Sequence, residues 1–172
     1  MEPLTGAVAG KIQEQIERTV HLIGIVPKDA LQWTPPIPGA WSLGELLGHL
    51  LDCLAGFCAV LYAAHPESLS HFAGLRNLPV NCVCGPGEAS ERIGVYRGHM
   101  DEGFAALCDA DLRRELPTFF VPEGESVLTL LLGNLEHLIN HKHQLFMYLK
   151  LMGVNVGTPD LYRFRGGSNA KD

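Results

Sequence analysis

Three histidines lie within seven positions of the stretch EHLINHKHQL, at His137, His141 and His143. An imidazole can bind a metal ion, transfer a proton or form hydrogen bonds in a protein core. On a helix, His137 and His141 are about 40° apart around the axis and about 6 Å apart along it. Two imidazoles at this spacing can bind one metal ion.

The helical positions of these histidines predict different surroundings. His137 and His141 lie among leucines, whereas His143 points about 120° away and is expected to face solvent. Burying an imidazole costs free energy unless its nitrogens have partners. Hydrogen bonding in the core and metal binding both supply such partners, and an HxxxH spacing alone does not distinguish them. No glutamate follows His137, so the motif is not the HExxH of zinc proteases.

A third ligand is available in WSLGELLGHLLDC, residues 41–53. A helix there places Glu45, His49 and Asp52 on one side. That side is either an exposed polar face opposite a leucine stripe or, since His49 borders the apolar sector, the edge that meets another helix. Glu45 and Asp52 lie within a turn of His49 and are weak candidates for a catalytic base, with a simple surface charge as the alternative for both.

The elements that must position these side chains are helices. Helical periodicity covers residues 5–25, 42–64, 88–107 and 126–152. Ser42 and Glu45 match a capping box, Ser126 suits a helix start, and Gly153 suits a helix end. No credible pair of strands is found. The pattern predicts an all-α four-helix bundle with long irregular links at residues 65–87 and 108–125.

Chain length and composition restrict the class of protein. A chain of 172 residues suits one domain, expected over residues 1–160. A C-terminal tail, residues 161–172, should be partly disordered, and the PDLYRF segment at its junction should dock on the body. The net charge of −6 and the lack of a basic cluster oppose direct nucleic-acid binding.

The sequence also indicates a compartment. We find no apolar run long enough for a membrane span and no signal-like start, so a cytoplasmic protein is expected. Five cysteines, an odd number, suit reduced thiols in that compartment. Cys82 and Cys84 form a CxC in a Gly/Pro-rich loop, which is a weak signal for metal binding or redox chemistry.

The two histidine segments together resemble the DinB family, the DNA-damage-inducible four-helix-bundle proteins. WSLGELLGHLLD is followed about ninety residues later by HLINHKHQLFMYLKLMG, and the likeness covers residues 5–153. The matching positions are Trp41, Ser42, His49, His137, His141, Gln144 and Gly153. Two features depart from the family pattern: His143, where the family often has Gly, and the Cys82/Cys84 loop, which has no family role known to us.

The resemblance implies a divalent-metal site of His49, His137 and His141, open to water or substrate. Zinc is the first choice of ion, with nickel or iron as alternatives. It further implies a metal-dependent hydrolase, or a transferase that uses a small thiol of the bacillithiol or mycothiol type. A non-enzymatic metal-binding stress-response protein is the alternative, since no convincing base or nucleophile accompanies the histidines.

The fourth helix predicts a partner subunit. Apolar residues lie away from its histidine face, at Leu128, Leu132, Leu135, Ile139 and Phe146. This is more apolar surface than one bundle core is expected to cover, so the sequence predicts a homodimer.

Overall fold

Four long helices form the body of the protein in a computed structural model that describes residues 3–118 and 121–162. They are α1 (Leu4–Ile25), α2 (Leu43–Ala64), α3 (Pro86–Ala106) and α4 (Val127–Leu151), followed by the short α5 (Thr158–Tyr162). The predicted all-α bundle is confirmed, and each long helix begins and ends within two residues of its predicted bounds.

The links between helices contain structure that the sequence did not predict. Short 3-10 helices occupy Ser70–Asn77 and Asp111–Arg113. Strands β1 (Glu115–Leu116) and β2 (Glu125–Ser126) pair antiparallel, which corrects the expectation of no strand pair. Two-residue strands are too short to show an alternating pattern, so periodicity could not reveal them.

Local capping explains where the site helices begin and end. Ser42 Oγ accepts a hydrogen bond from Glu45 N, and Glu45 Oε2 accepts one from Ser42 N, which completes the predicted capping box of α2. Ser126 Oγ accepts from Thr129 N at the start of α4. Gly153 follows α4 with a φ of +78°, a conformation that suits glycine at a helix end.

Helix α2 is the centre of the core and packs against α3 and α4. All seven of its leucines are at most 1 % exposed: Leu43, Leu46, Leu47, Leu50, Leu51, Leu54 and Leu61. Each contributes about 1.5–3 kcal/mol through burial. This stripe fixes the orientation of α2 and therefore the direction in which its polar residues point.

Helix α2 also corrects the expectation that no segment could span a membrane. By length and composition alone it could, with a mean hydropathy of 1.7 over its most apolar window. Its isolated glycines, histidine and aspartate do not lower the average enough to exclude it. However, 56 % of that window is buried in the bundle, as expected for a core helix. The cytoplasmic location stays a prediction.

The C-terminal segment docks on the bundle. Helix α5 packs against α1, where His21 Nε2 lies 2.9 Å from Asp160 Oδ1. Buried Lys142 on α4 donates to the carbonyl oxygen of Leu161. The expected disorder of the tail falls on residues 163–172, outside the described residues, and the domain limit at residue 160 stays a prediction.

The apolar surplus of α4 is smaller than the sequence suggested. Leu135 and Phe146 are buried within the single chain, and Leu128 and Ile139 are half-buried. Leu132 is 47 % exposed. The homodimer stays a prediction, with less exposed surface to support it.

Asp111 connects the end of α3 to the β1–β2 ladder. Its Oδ2 accepts a hydrogen bond from Cys108 N at 2.9 Å, and its Oδ1 accepts one from Arg114 Nη1 at 3.3 Å. His65 Nε2 lies 3.2 Å from Oδ2. The Cys108 amide, with smaller contributions from His65 and Arg114, holds the pKa of Asp111 well below its usual range.

We predict that Asp111→Asn destabilises the fold most at pH 5 and less at pH 3. A carboxyl whose pKa is lowered by folding stabilises the fold above its unfolded pKa of about 3.9, and this contribution decreases as pH falls below that value. Between pH 5 and pH 3 the destabilisation should shrink by about 1 kcal/mol. Urea unfolding of the wild type, Asp111→Asn and the exposed control Asp101→Asn measures this, and a pH-independent difference for Asp111→Asn would contradict it.

Candidate metal centre

Helices α2 and α4 bring the three predicted histidines together. His49 Nε2 lies 3.0 Å from His137 Nε2 and 3.2 Å from His141 Nε2. The ring centroids of the three side chains are 4.3–5.0 Å apart. All three are half-buried, whereas His143 is exposed, as its helical position predicts. The same ring nitrogen of each histidine therefore faces a common point.

Two of these rings are oriented from behind by amide oxygens. His49 Nδ1 lies 2.6 Å from Asn81 Oδ1, and His141 Nδ1 lies 2.9 Å from Gln144 Oε1. An amide oxygen only accepts hydrogen bonds, so Nδ1 donates in both rings and carries the proton. In the neutral imidazole, Nε2 then presents a lone pair. Lone pairs 3.2 Å apart repel each other, and a cation between them removes this repulsion.

Burial favours the neutral form of the α4 histidines. Desolvation lowers the pKa of His137 and of His141, and the neighbouring His49 lowers both further. The carboxylate of Asp52 acts in the opposite direction on His137, and the Gln144 hydrogen bond does so on His141. Metal binding requires unprotonated imidazoles, so the donor set fits a divalent ion.

A chain of hydrogen bonds fixes the outer side of the site. Gln144 Nε2 donates to Tyr148 Oη at 3.1 Å, and Tyr148 Oη donates to the carbonyl oxygen of Trp41 at 3.1 Å. The Trp41 ring centroid lies 4.5 Å from that of His49 and 5.6 Å from that of His141. Trp41 therefore covers two histidines while remaining 38 % exposed.

Asn81, which the sequence analysis did not identify, lies on a loop that contacts α2 directly. The backbone N–H groups of Asn81 and Cys84 donate to the carbonyl oxygens of Gly48 and Gly44. A Cβ on Gly48 would lie 1.8 Å from the Cys82 carbonyl oxygen, so only glycine allows this approach. The GELLG spacing in α2 was the available signal for this contact. It puts glycines on one face of two adjacent turns, at Gly44 and Gly48, where a backbone can approach closely.

The CxC pair belongs to this same loop. Cys82 is exposed, whereas Cys84 is buried, and burial raises the pKa of Cys84 to about 11. All five cysteines are free thiols. The two cysteines therefore lie in the backbone contact that brings Asn81 to His49. Neither belongs to the donor group at the histidines.

A second donor set overlaps the three histidines. The Sγ of Cys53 and one ring nitrogen each of His49 and His137 lie within 4.8 Å of one another. Cys53 follows His49 by about one turn of α2 and is buried. Burial raises the pKa of the Cys53 thiol to about 12. Cys53 was not among the ligands predicted from the sequence, because its place beside His137 depends on how α2 packs against α4.

The two candidate bases have different surroundings. Glu45 Oε2 accepts hydrogen bonds from Ser42 N at 2.7 Å and from Ser42 Oγ at 2.8 Å. These bonds lower the pKa of Glu45 and commit its carboxylate to the helix cap. Asp52 is half-buried, and its side chain forms no hydrogen bond or ion pair within residues 3–118 and 121–162. Asp52 is therefore the freer carboxylate near the histidines.

Three other histidines lie apart from this site. His21 is next to Asp160, and His71 is next to Glu102. His99 Nδ1 lies 2.9 Å from the carbonyl oxygen of Val95. These contacts supply each ring with a local partner.

An all-α bundle with imidazole and thiol donors gathered between two helices fits the class of metal-binding helical proteins. In a comparison of sequences, the family profile of the DinB superfamily matches residues 11–145. The chain therefore belongs to the DinB superfamily, as its two histidine segments indicated.

Solved structures show the same fold. A DinB-like protein (YjoA) of Bacillus subtilis is 21 % identical with a TM-score of 0.68, over 92 % of this chain and 99 % of the other. A protein described as a DinB-family member from Exiguobacterium sibiricum 255-15 is 21 % identical with a TM-score of 0.63, over 93 % and 99 % of the two chains. No curated protein matches the chain significantly.

We predict that Gly48→Ala separates the loop from α2. The added Cβ cannot fit against the Cys82 carbonyl oxygen, so the substitution should cost about 1–3 kcal/mol of stability. It should also remove the contact of Asn81 with His49. Gly98→Ala is the matched control, because its Cβ would meet no atom within 4 Å and should be neutral or stabilising.

Urea unfolding measures the stability of both variants, and histidine ring NMR reports the hydrogen bond at His49 Nδ1. Equal stability of Gly48→Ala and Gly98→Ala would show that the close approach is absent in solution.

Proposed function

We propose that the protein binds one divalent metal ion through His49, His137 and His141 and uses it in a transfer or hydrolysis reaction. The observation that supports this most strongly is the convergence of three Nε2 atoms, two of them on rings whose Nδ1 is anchored by an amide oxygen. Membership of the DinB superfamily fits the same function, since the resemblance to the DinB family implies a three-histidine metal site.

The nitrogen positions suit a small ion. Zinc binds imidazole nitrogen at about 2.0–2.1 Å, which in a tetrahedral site places two ligand nitrogens about 3.3 Å apart. The Nε2 distances of 3.0 and 3.2 Å are close to this value. Three imidazoles leave a coordination position for water or substrate, as catalytic zinc sites do. Zinc is our first choice, with nickel and iron as alternatives, because imidazole does not discriminate sharply among them.

His141 is a better third ligand than Cys53 for two reasons. First, a thiol must lose its proton to bind a metal, and burial opposes this by raising the pKa of Cys53. Second, His141 is oriented by Gln144 and Tyr148, and such outer hydrogen bonds are typical of metal-ligating histidines. Cys53 then lies beside the donor set as a buried neutral thiol.

A bound divalent ion lowers the pKa of a coordinated thiol or water and so supplies a nucleophile at neutral pH. Around it, Trp41 shields His49 and His141 from solvent, and Asn81 and Gln144 keep Nδ1 of these rings protonated. Asp52, one turn from His49 and without a hydrogen-bond partner among the described residues, is positioned to accept the proton of the nucleophile. These roles suit a hydrolase or a transferase that uses a small thiol in the cytoplasm, where thiols stay reduced.

A non-enzymatic metal-binding protein of a stress response is the second candidate. The observation that favours it is the use of Glu45 in the helix cap, which leaves Asp52 as the one predicted base with a free carboxylate. Activity of metal-loaded protein separates the two functions.

We predict that His49→Ala, His137→Ala and His141→Ala each abolish stoichiometric metal binding, because each removes one of three ligands. Helix content should persist, since the leucines of α2 and α4 form the core. The exposed His143→Ala and the buried Cys53→Ala should retain one equivalent. Elemental analysis after equilibration with zinc and dialysis gives the stoichiometry, and circular dichroism gives the helix content. Loss of metal from Cys53→Ala with retention in His141→Ala would reverse our choice of third ligand.

We further predict that Asp52→Asn lowers kcat about 100-fold or more while metal content is unchanged, as expected for loss of a general base. Assays would pair bacillithiol or mycothiol with 1-chloro-2,4-dinitrobenzene, and test 4-nitrophenyl acetate for hydrolysis. Glu45→Gln is the control, since it should reduce stability through the helix cap and leave kcat unchanged. Full metal occupancy without turnover of either substrate would favour the non-enzymatic function.

A further inference from the structure

A cavity of about 390 Å³ opens along α2 from Asp52 towards Tyr62, and we call it the side cavity. One wall is a face of α2 with Asp52, Gly56 and Ala59. The opposite wall is the 3-10 helix Ser70–Asn77 and the residues that follow it, up to Val80. Most of the lining is apolar. Its size lies near the lower end of the range for small-molecule sites, which suits one ring with a short chain.

The side cavity and the histidines share structural elements. Asp52 follows His49 by about one turn on the same side of α2. Val80, on the opposite wall, is followed directly by Asn81, whose side chain contacts His49 Nδ1. A molecule in the cavity therefore lies between the two elements that position His49.

The shape of the side cavity follows from small residues on α2. Ala55 and Gly56 lie in one turn of α2, and Ala59 lies one turn further on the same side. A Cβ on Gly56 would approach Asn134 Oδ1 of α4 to 2.9 Å, so helix packing keeps that position small. Phe72, on the opposite wall, is 4 % exposed and is fixed in the core. The space is thus bounded by packed elements on both sides.

Two opposite charges line the otherwise apolar cavity. Asp52 is at the end near the histidines, and Arg76 is an exposed cation of the 3-10 helix. Within the part of the chain that the structure describes, neither side chain forms a hydrogen bond or an ion pair. A divalent ion on the three histidines would add positive charge at the Asp52 end and disfavour a cationic ligand there. Arg76 remains as the group that can recognise a charge on the ligand, and it recognises an anion.

We propose that the side cavity binds the substrate of the proposed function, a small molecule with an apolar body and a carboxylate that pairs with Arg76. Its reactive end points towards Asp52 and the histidines. The role of this ligand as a substrate rests on the proposed function. Its apolar body and its charge are inferred from the residues that line the side cavity. The apolar body supplies affinity through burial, and the carboxylate sets the direction in which the molecule enters.

Calorimetric titration of zinc-loaded, full-length protein with 4-phenylbutyrate and 4-phenylbutylamine tests the proposal. The two probes share an apolar body and differ in charge. We expect the acid to bind at least 10-fold more tightly than the amine. Arg76→Gln should weaken the acid about 10-fold and remove the preference, and Ala59→Trp should weaken both probes by filling the space. Arg113→Gln and Ala105→Trp are the matched controls, since both residues are exposed and lie outside the cavity lining.

Metal content and helix content of each variant are measured in parallel. Equal or tighter binding of the amine would overturn the proposal, as would unchanged affinity for the acid in Arg76→Gln. Because Arg76 is exposed, this test holds even where Ala59→Trp does not fold. Full zinc occupancy without probe binding would refute ligand binding in the side cavity and leave the proposed metal site intact. Probe binding with metal retained in all three histidine variants would instead refute the proposed function.

Discussion

The contact between α2 and α4 determines where every histidine of the site lies. The buried leucines of α2 fix its rotation, and that rotation places His49 against the i, i+4 pair of α4. The partly buried imidazoles then require partners for both ring nitrogens, because an unpaired polar group removed from water is costly. Asn81 and Gln144 satisfy Nδ1 of two rings, so the Nε2 atoms are left facing one another. The chemistry of the site therefore follows from helix packing and from the needs of buried polar groups.

The sequence predicted those parts of the protein that depend on short-range periodicity. Each of these features depends on residues close together in the chain: the four long helices, the capping box of α2 and the exposure of His143. Convergence of His49 with His137 and His141 could be expected only with the family resemblance added, because spacing within one helix says nothing about its partner. Asn81 and Cys53 could not be assigned, since their places depend on how a distant loop and a second helix pack around α2. The β1–β2 ladder was missed because two residues do not make a pattern.

Polar residues near the site divide into those that hold the fold and those that remain available. Glu45 belongs to the first group, because both hydrogen bonds to Ser42 stabilise the start of α2. Asp52 and Arg76 belong to the second, as they line the side cavity without a partner among the described residues. A carboxylate close in sequence to one of the three histidines is thus not by itself a candidate base. Its existing hydrogen bonds decide whether it can take part in chemistry.

His49 and His137 are 88 residues apart in the chain, yet their Nε2 atoms are 3.0 Å apart. Bringing such distant residues together costs about 4 kcal/mol of chain entropy, so an unfolded chain would offer an ion little beyond the local pair on α4. An ion held by all three imidazoles would then act as a reversible cross-link between α2 and α4. A ligand stabilises a fold only to the extent that it binds the folded state more tightly than the unfolded one. Since the pair on α4 is available in both states, the added affinity from His49 would determine how much the ion stabilises the fold. Removal of the ion would loosen the interface that positions the site, so metal supply would control the lifetime of the folded protein as well as its chemistry.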